Sequence, residues 1–185
     1  MIPPESGLIP KAASESSFGS SDTAPVSHFY ISTNEIHKLI RAAAFDLLAR
    51  REHSQQELKN KLILKFKRRP ELAITEQKIV EVVSAVSAEG LQSNARYIEM
   101  LIRGRVNQGY GPLRIAQELK QKGIVQSDFE ELLDARNEVW LERARQAKQK
   151  KFGNSRAVDQ KEKAQQMRFL QYRGFSSAQI QYALK

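Results

Sequence analysis

Two helices that must meet at a glycine-rich turn set the terms for this chain. The stretch spans residues 97–124, YIEMLIRGRVNQGYGPLRIAQELKQKGI. Ile98, Leu101, Ile102 and Val106 recur at helical spacing and give the first helix an apolar face. Gly109 and Gly111 bracket Tyr110, and glycine accepts the positive φ that ends many helices. Pro112 stands where a second helix begins, a position at which its missing N–H costs nothing. Leu113, Ile115, Ala116 and Leu119 supply the apolar side of that helix. Gly123, after Lys120 and Lys122, stops it with cations near the negative helix end.

The same pattern returns twice. RREHSQQELKNKL begins at Arg50, NQGYGPLRIAQEL at Asn107 and YRGFSSAQIQYAL at Tyr172. His53, Tyr110 and Phe175 fill one aromatic slot at the turn, where a planar ring plugs the gap between two helices meeting at an angle. Ser54, Gly111 and Ser176 take the cap position. Leu58, Ile115 and Ile180 match, as do Leu62, Leu119 and Leu184. Gly174 precedes Phe175 as Gly109 precedes Tyr110. One such unit cannot bury its apolar faces alone, so the expected architecture is an all-α, elongated array of tandem three-helix, helix–turn–helix-like repeats.

The rest of the chain fits that frame. Residues 1–31 are rich in proline and serine and read as a disordered N-terminal tail. His28 lies in it. Ser32 and Glu35 have capping-box spacing, and Ile36, Leu39, Ile40, Ala43, Leu47 and Leu48 follow a helical stripe. Ser54 and Glu57 repeat the box. Pro70 breaks the second helix. Thr75 caps a third, whose stripe is Ile79, Val82, Val83 and Val86. Gly90 closes it, with Leu91 placed for the apolar contact of a Schellman ending. Residues 32–92 are thus repeat 1 and 93–136 repeat 2, whose last helix should start at the Ser127–Glu130 spacing. Residues 137–185 hold a basic connecting helix, carrying Val139, Trp140, Ala144 and Ala147, and a repeat 3 that stops short of its third helix. No stretch alternates with the period of a half-buried strand.

The net charge of +9 favours a polyanionic partner or an acidic protein surface. The tail carries Lys11 against Glu5, Glu15 and Asp22, so the excess sits on the remainder. There are no cysteines, which excludes disulfides and thiolate metal sites. No apolar run approaches the roughly 18 residues that span a bilayer, and the first residues lack the pattern of a secretory signal. The expectation is a cytoplasmic protein with no membrane contact. His28, His37 and His53 have no metal-ligand spacing, and no catalytic constellation or phosphate loop is visible, so neither an enzyme nor a cofactor is expected. His53 is read as a packing residue. The candidates for binding are basic. Arg68 and Arg69 end the second helix; Arg103, Arg105, Arg114 and Lys120 lie on the central pair. Lys148, Lys150, Lys151, Arg168 and Arg173 belong to a basic stretch running from Arg136. Arg51, Arg103, Arg105 and Arg173 stand at helix ends, suited to bidentate contact with carboxylate or phosphate. Tyr110, Trp140 and Phe175 read as core or turn plugs.

GYGPLRIAQELKQKGI, the REHSQQEL turn, the KKFG segment at Lys150–Gly153 and RFLQYRGFS together resemble the RecX family of recombination regulators, over roughly Glu35 to Lys185. A monomer is expected, and the resemblance implies tandem three-helix repeats. It implies binding to the RecA recombinase filament, restraint of its strand exchange, ATPase and co-protease activities, and weak, sequence-independent DNA binding. A second reading is a helix–turn–helix transcriptional regulator in which the helix after Gly111 enters a major groove. Its segment, PLRIAQELKQK, offers few base-reading side chains beyond Arg114 and Gln117.

Overall fold

The computed structural model describes residues 32–154 and 157–185. The tail expected over residues 1–31, together with Ser155 and Arg156 of the basic stretch, lies outside the described residues. Eight helices are present among them: α1 (Thr33–Leu48), α2 (Gln55–Phe66), α3 (Glu76–Ala88), α4 (Asn94–Asn107), α5 (Pro112–Gln121), α6 (Val139–Phe152), α7 (Gln160–Arg173) and α8 (Ser177–Ala183). None of the described residues forms a strand. The chain is all-α.

Local chemistry sets most of the boundaries. Ser32 and Glu35 make a reciprocal capping box, and Ser176 with Gln179 makes another. Thr75, Ser93 and Asp159 each accept from a backbone N–H three residues on. Helices α4 and α7 end in a left-handed glycine with two back-bonds: Tyr110 N donates to Arg105 O at 3.0 Å and Phe175 N to Leu170 O at 3.1 Å. Three expectations need correction. The box at Ser54 is only half made, because the Glu57 side chain turns to Arg51 instead of the Ser54 amide. Leu91 N closes on Val86 O, but its side chain stays 43% exposed, so the apolar half of that ending is missing. Ser127 caps no helix. A 3-10 turn at Gln126–Asp128 and a single further turn suffice to bury Phe129 and Leu133, and the Trp140 indole N–H bonds to Asp134 O at 3.1 Å where that segment ends.

Three repeats share two cores. Ile36, Ile40, Leu58, Leu62, Ile79 and Val86 centre the first, inside α1–α3. The second joins α4–α8 around Tyr97, Ile115, Leu119, Trp140, Leu170, Phe175 and Ile180. Helix α6 is therefore more than a connection. Trp140, Ala144 and Ala147 fall on one face at helical spacing, and the two alanines let α6 lie along α8. The last unit does end at α8; its third helix is α6, which precedes the turn. Leu39, Leu113 and Val139, counted with the apolar stripes, face outward, as does Leu132.

The joint between repeats 2 and 3 is a contact of two turns. Gly111 N donates to Arg173 O at 2.7 Å and Leu113 N to Gly174 O at 3.1 Å. The first turn of α5 and the last turn of α7 thus satisfy each other's orphan groups. A Cβ on Gly111 would lie 2.5 Å from Gly174 O. The joint between repeats 1 and 2 is polar. Ser54 Oγ donates to Lys122 O at 2.7 Å, Gln55 N donates to Asn94 Oδ1 at 3.0 Å, and Arg96 meets Glu52 at 2.7 Å.

Gly111→Ala should lower the unfolding free energy by about 1–3 kcal/mol, since backbone must shift to admit the methyl group. Gly104→Ala, inside α4 with nothing within 4 Å of the new Cβ, should raise it by about 0.5–1 kcal/mol. Urea denaturation of the two variants measures both. Shifts of the same sign would mean that the two turns are not in contact in solution.

Candidate partner-binding surface

The twelve expected binding cations separate into two groups. Five are occupied within the fold. Arg51 forms a two-pronged pair with Glu57, at 3.1 and 2.7 Å, and Lys122 reaches the same carboxylate at 3.3 Å. Arg105 does likewise with Glu118, at 2.7 and 2.6 Å. These are the bidentate carboxylate contacts that helix-end arginines suit, made inside the molecule. Arg114 donates to Tyr172 O at 3.0 Å, Arg173 donates to Gln108 O, and Lys148 is buried on α6. The other seven, Arg68, Arg69, Arg103, Lys120, Lys150, Lys151 and Arg168, are exposed and take part in no ion pair among the described residues. They lie on or just after α2, α4, α5, α6 and α7.

The turn residues build the centre of the molecule. His53 and Phe175 are buried. The His53 ring lies 2.9 Å through Nδ1 from Arg51 O, and burial pushes its pKa down, so the ring is held neutral. Tyr110 is half-exposed, and its ring lies between two guanidinium groups, Arg114 at 4.5 Å and Arg173 at 4.8 Å from the ring centre. Arg173 also covers Phe169 at 5.0 Å and Arg114 covers Tyr172 at 4.7 Å. Rings and guanidinium groups alternate in one column across the joint of repeats 2 and 3. Each such contact contributes about 0.5–1 kcal/mol at an exposed site and more when dry.

Two neighbouring clefts run along α5. One is lined by Arg51, Glu57, Tyr97, Arg105, Glu118 and Lys122; the other shares the last three of Arg105, Glu118 and Lys122 and adds Tyr110, Arg114 and Tyr172. Burial alone would raise the Glu57 carboxyl, but Arg51 and Lys122 outweigh it and bring the pKa down to about 2. Glu118 is likewise lowered, chiefly by its hydrogen bonds from Arg105. Tyr97, almost fully buried, is pushed up to about 12 by burial and by Glu57. Glu57, Glu118 and Tyr172 are absent from the sequence-based candidates. The Arg105–Glu118 pair spans a turn between two helices, so no helical spacing marks it.

Comparison with known proteins places this geometry. The model of the second three-helix domain of RecX matches residues 93–133, and that of the third matches residues 138–184. The second of these ranges begins with α6, in agreement with its place in the core. Regulatory protein RecX of Pseudomonas putida strain KT2440 is 43% identical over 136 residues, covering 74% of this chain and 83% of the relative. The chain belongs to the RecX family. Regulatory protein RecX of Vibrio campbellii is 41% identical over 78% of this chain and 88% of its own length. The crystal structure of RecX from Lactobacillus salivarius superposes with a TM-score of 0.64 at 20% identity, over 82% of this chain and 96% of that one, and so shares the RecX fold.

Two measurements check this arrangement. Tyr110→Ala should cost about 2 kcal/mol, since it removes two cation–π contacts and part of a core face, whereas Tyr110→Phe should stay near wild type. Equal melting temperatures for Tyr110→Ala and wild type would place the ring outside the column. A carboxyl lowered by folding stabilises fully above its unfolded pKa and loses that contribution as pH falls through the folded value. For Glu57 the window runs from about pH 5 to about pH 2 and the loss is at most about 3 kcal/mol. Glu57→Gln should therefore be less stable at neutral pH and show a flatter acid limb in circular-dichroism melts. An acid limb as steep as that of wild type would assign it to other carboxylates.

Proposed function

We propose that this RecX-family chain is a non-enzymatic regulator that docks on the filament of the RecA recombinase and restrains its strand exchange, ATP hydrolysis and co-protease action. Membership of the RecX family, over three quarters of the chain, carries this reading. The seven unpaired cations supply a physical route. They stand on elements of both cores, so one molecule offers several separated contacts to a repeating partner, and modest contacts then add as avidity. Phosphates bound alongside the protein subunits would be met by the same charges, giving weak DNA binding indifferent to sequence. The chain acts as a monomer in the cytoplasm. No helix among the described residues is long and apolar enough to cross a membrane.

The competing reading places α5 in a major groove. The first turn of a reading helix must be free to meet base edges. Here Gly111 and Pro112 are buried, Leu113 N is bonded to Gly174 O, and Arg114 is engaged with Tyr110 and Tyr172. The geometry of α5 thus speaks for a filament regulator over a sequence-reading repressor.

The test is the DNA-dependent ATPase of the cognate recombinase, with this protein added below equimolar ratio. Wild type should slow hydrolysis at least severalfold. A variant with Arg68, Arg69, Lys150 and Lys151 all changed to Glu should melt within about 2 °C of wild type, because none of the four is ion-paired among the described residues, and should require at least tenfold more protein for the same slowing. An ATPase rate unaffected by wild type at equimolar ratio would end the proposal.

A further inference from the structure

Among the described arginines of α4–α8, most already have an anionic or carbonyl partner. Arg96, Arg105, Arg136 and Arg145 are ion-paired, and Arg114 and Arg173 hold backbone carbonyls. Arg103, Arg143 and Arg168 have neither among the described residues, and the first two line one cleft of about 390 Å³ between α4, α6 and the turn after Gln126–Asp128. The Arg143 guanidinium lies over the Trp140 ring at 5.4 Å, and its Nε is buried with no hydrogen-bond partner among the described residues. The floor is apolar: Ile102 and Val106 from α4, and Leu132, which is 57% exposed. Glu99 on the same wall balances one of the two cations and leaves one positive charge over.

From this juxtaposition we infer a docking cleft for an acidic segment of a partner protein, one that sets an apolar side chain on Ile102, Val106 and Leu132 and a carboxylate between Arg103 and Arg143. A guanidinium with no anionic partner favours a carboxylate, which accepts charge-assisted hydrogen bonds from its nitrogens. The apolar floor selects protein over nucleic acid, because a hydrated phosphate backbone gains nothing from covering leucine, isoleucine and valine. An exposed leucine beside two half-buried apolar side chains and unmatched charge marks a partner surface more than a solvated face. The inference rests on the proposed function, in that the segment belongs to a subunit of the recombinase filament. It adds the location and the chemistry of the contact.

Two measurements decide it. In the first, the full chain is titrated onto recombinase filaments assembled on DNA with a non-hydrolysed ATP analogue. Leu132→Asp and Arg103→Glu, both at exposed positions, should each weaken binding at least tenfold, while Lys38→Glu on α1 should change it less than twofold. Wild-type binding unaltered in Leu132→Asp, or an equal loss in Lys38→Glu, overturns the cleft and leaves the regulator reading standing. In the second, ¹⁵N-labelled full chain is titrated with an acetylated Glu-Leu-Glu-Leu-Glu amide and, separately, with its Gln-Leu-Gln-Leu-Gln counterpart. The acidic peptide should shift the Leu132 amide and the Arg103 and Arg143 side-chain N–H signals saturably. The neutral peptide should not shift them, and Leu132→Asp should abolish the effect. Uniform shifts across the exposed arginines, or none, overturn the cleft even where wild type binds no filament, an outcome of the first measurement that would remove the regulator reading alone.

Discussion

Gly111 and Gly174 bring two backbones together so closely that neither position has room for a Cβ. Much of the structure depends on this contact. The first turn of a helix has donors without partners and the last turn has acceptors without partners. Stacking the start of α5 on the end of α7 resolves both, and the opposed partial charges of the two helix ends add to the attraction. It also fixes where the helices point. Ile115 and Leu119 on α5 then enter the same core as Leu170 and Phe175 around α7. The rings and guanidinium groups of Phe169, Arg173, Tyr110, Arg114 and Tyr172 line up over the joint because the backbone beneath holds them in register.

The other joint solves the same problem with different chemistry. At Ser54 a hydroxyl donates to Lys122 O, as the Gly111 amide donates to Arg173 O, and it also accepts from Glu57 N. Around it lie Gln92, Asn94, Arg96, Glu52 and the Arg51–Glu57–Lys122 group. Few apolar side chains cross, and the α1–α3 core remains its own. A polar interface between two separately packed bodies opens at lower free energy than a shared core does. The joint between repeats 1 and 2 is therefore expected to open at lower free energy than the joint between repeats 2 and 3.

What the sequence discloses follows the range of each interaction. The box at Ser32, the caps at Thr75 and Ser176 and the endings at Gly109 and Gly174 close within six residues, and the aligned turns at His53, Tyr110 and Phe175 disclose the repeat. Long-range partnerships leave no such trace. Ser54 and Lys122 are 68 residues apart, and Glu57 abandons its cap for Arg51 because the fold carries Lys122 to the same place. The Ser127 spacing resembles that at Ser176, yet one turn suffices there to bury Phe129 and Leu133. Helix α6 reads as a basic connector because its charges outnumber Trp140, Ala144 and Ala147. Only packing shows that three residues are enough to seat it.

The same limit governs the charges, and it bears on how the protein works. A count of lysines and arginines treats Arg105 and Arg103 alike, two residues apart on α4. One is spent on Glu118 and sets the angle between α4 and α5; the other stands in solvent beside an apolar cleft. Exposed charges are individually weak, about 0–1 kcal/mol per pair, so a regulator that relied on a few would bind feebly. Spread over both cores, they gain strength only where the partner presents matching sites at the right spacing. A filament whose subunit spacing differs between its active and inactive states then offers different numbers of simultaneous contacts. Under the proposed function, such a difference in affinity would let binding shift the balance between the states.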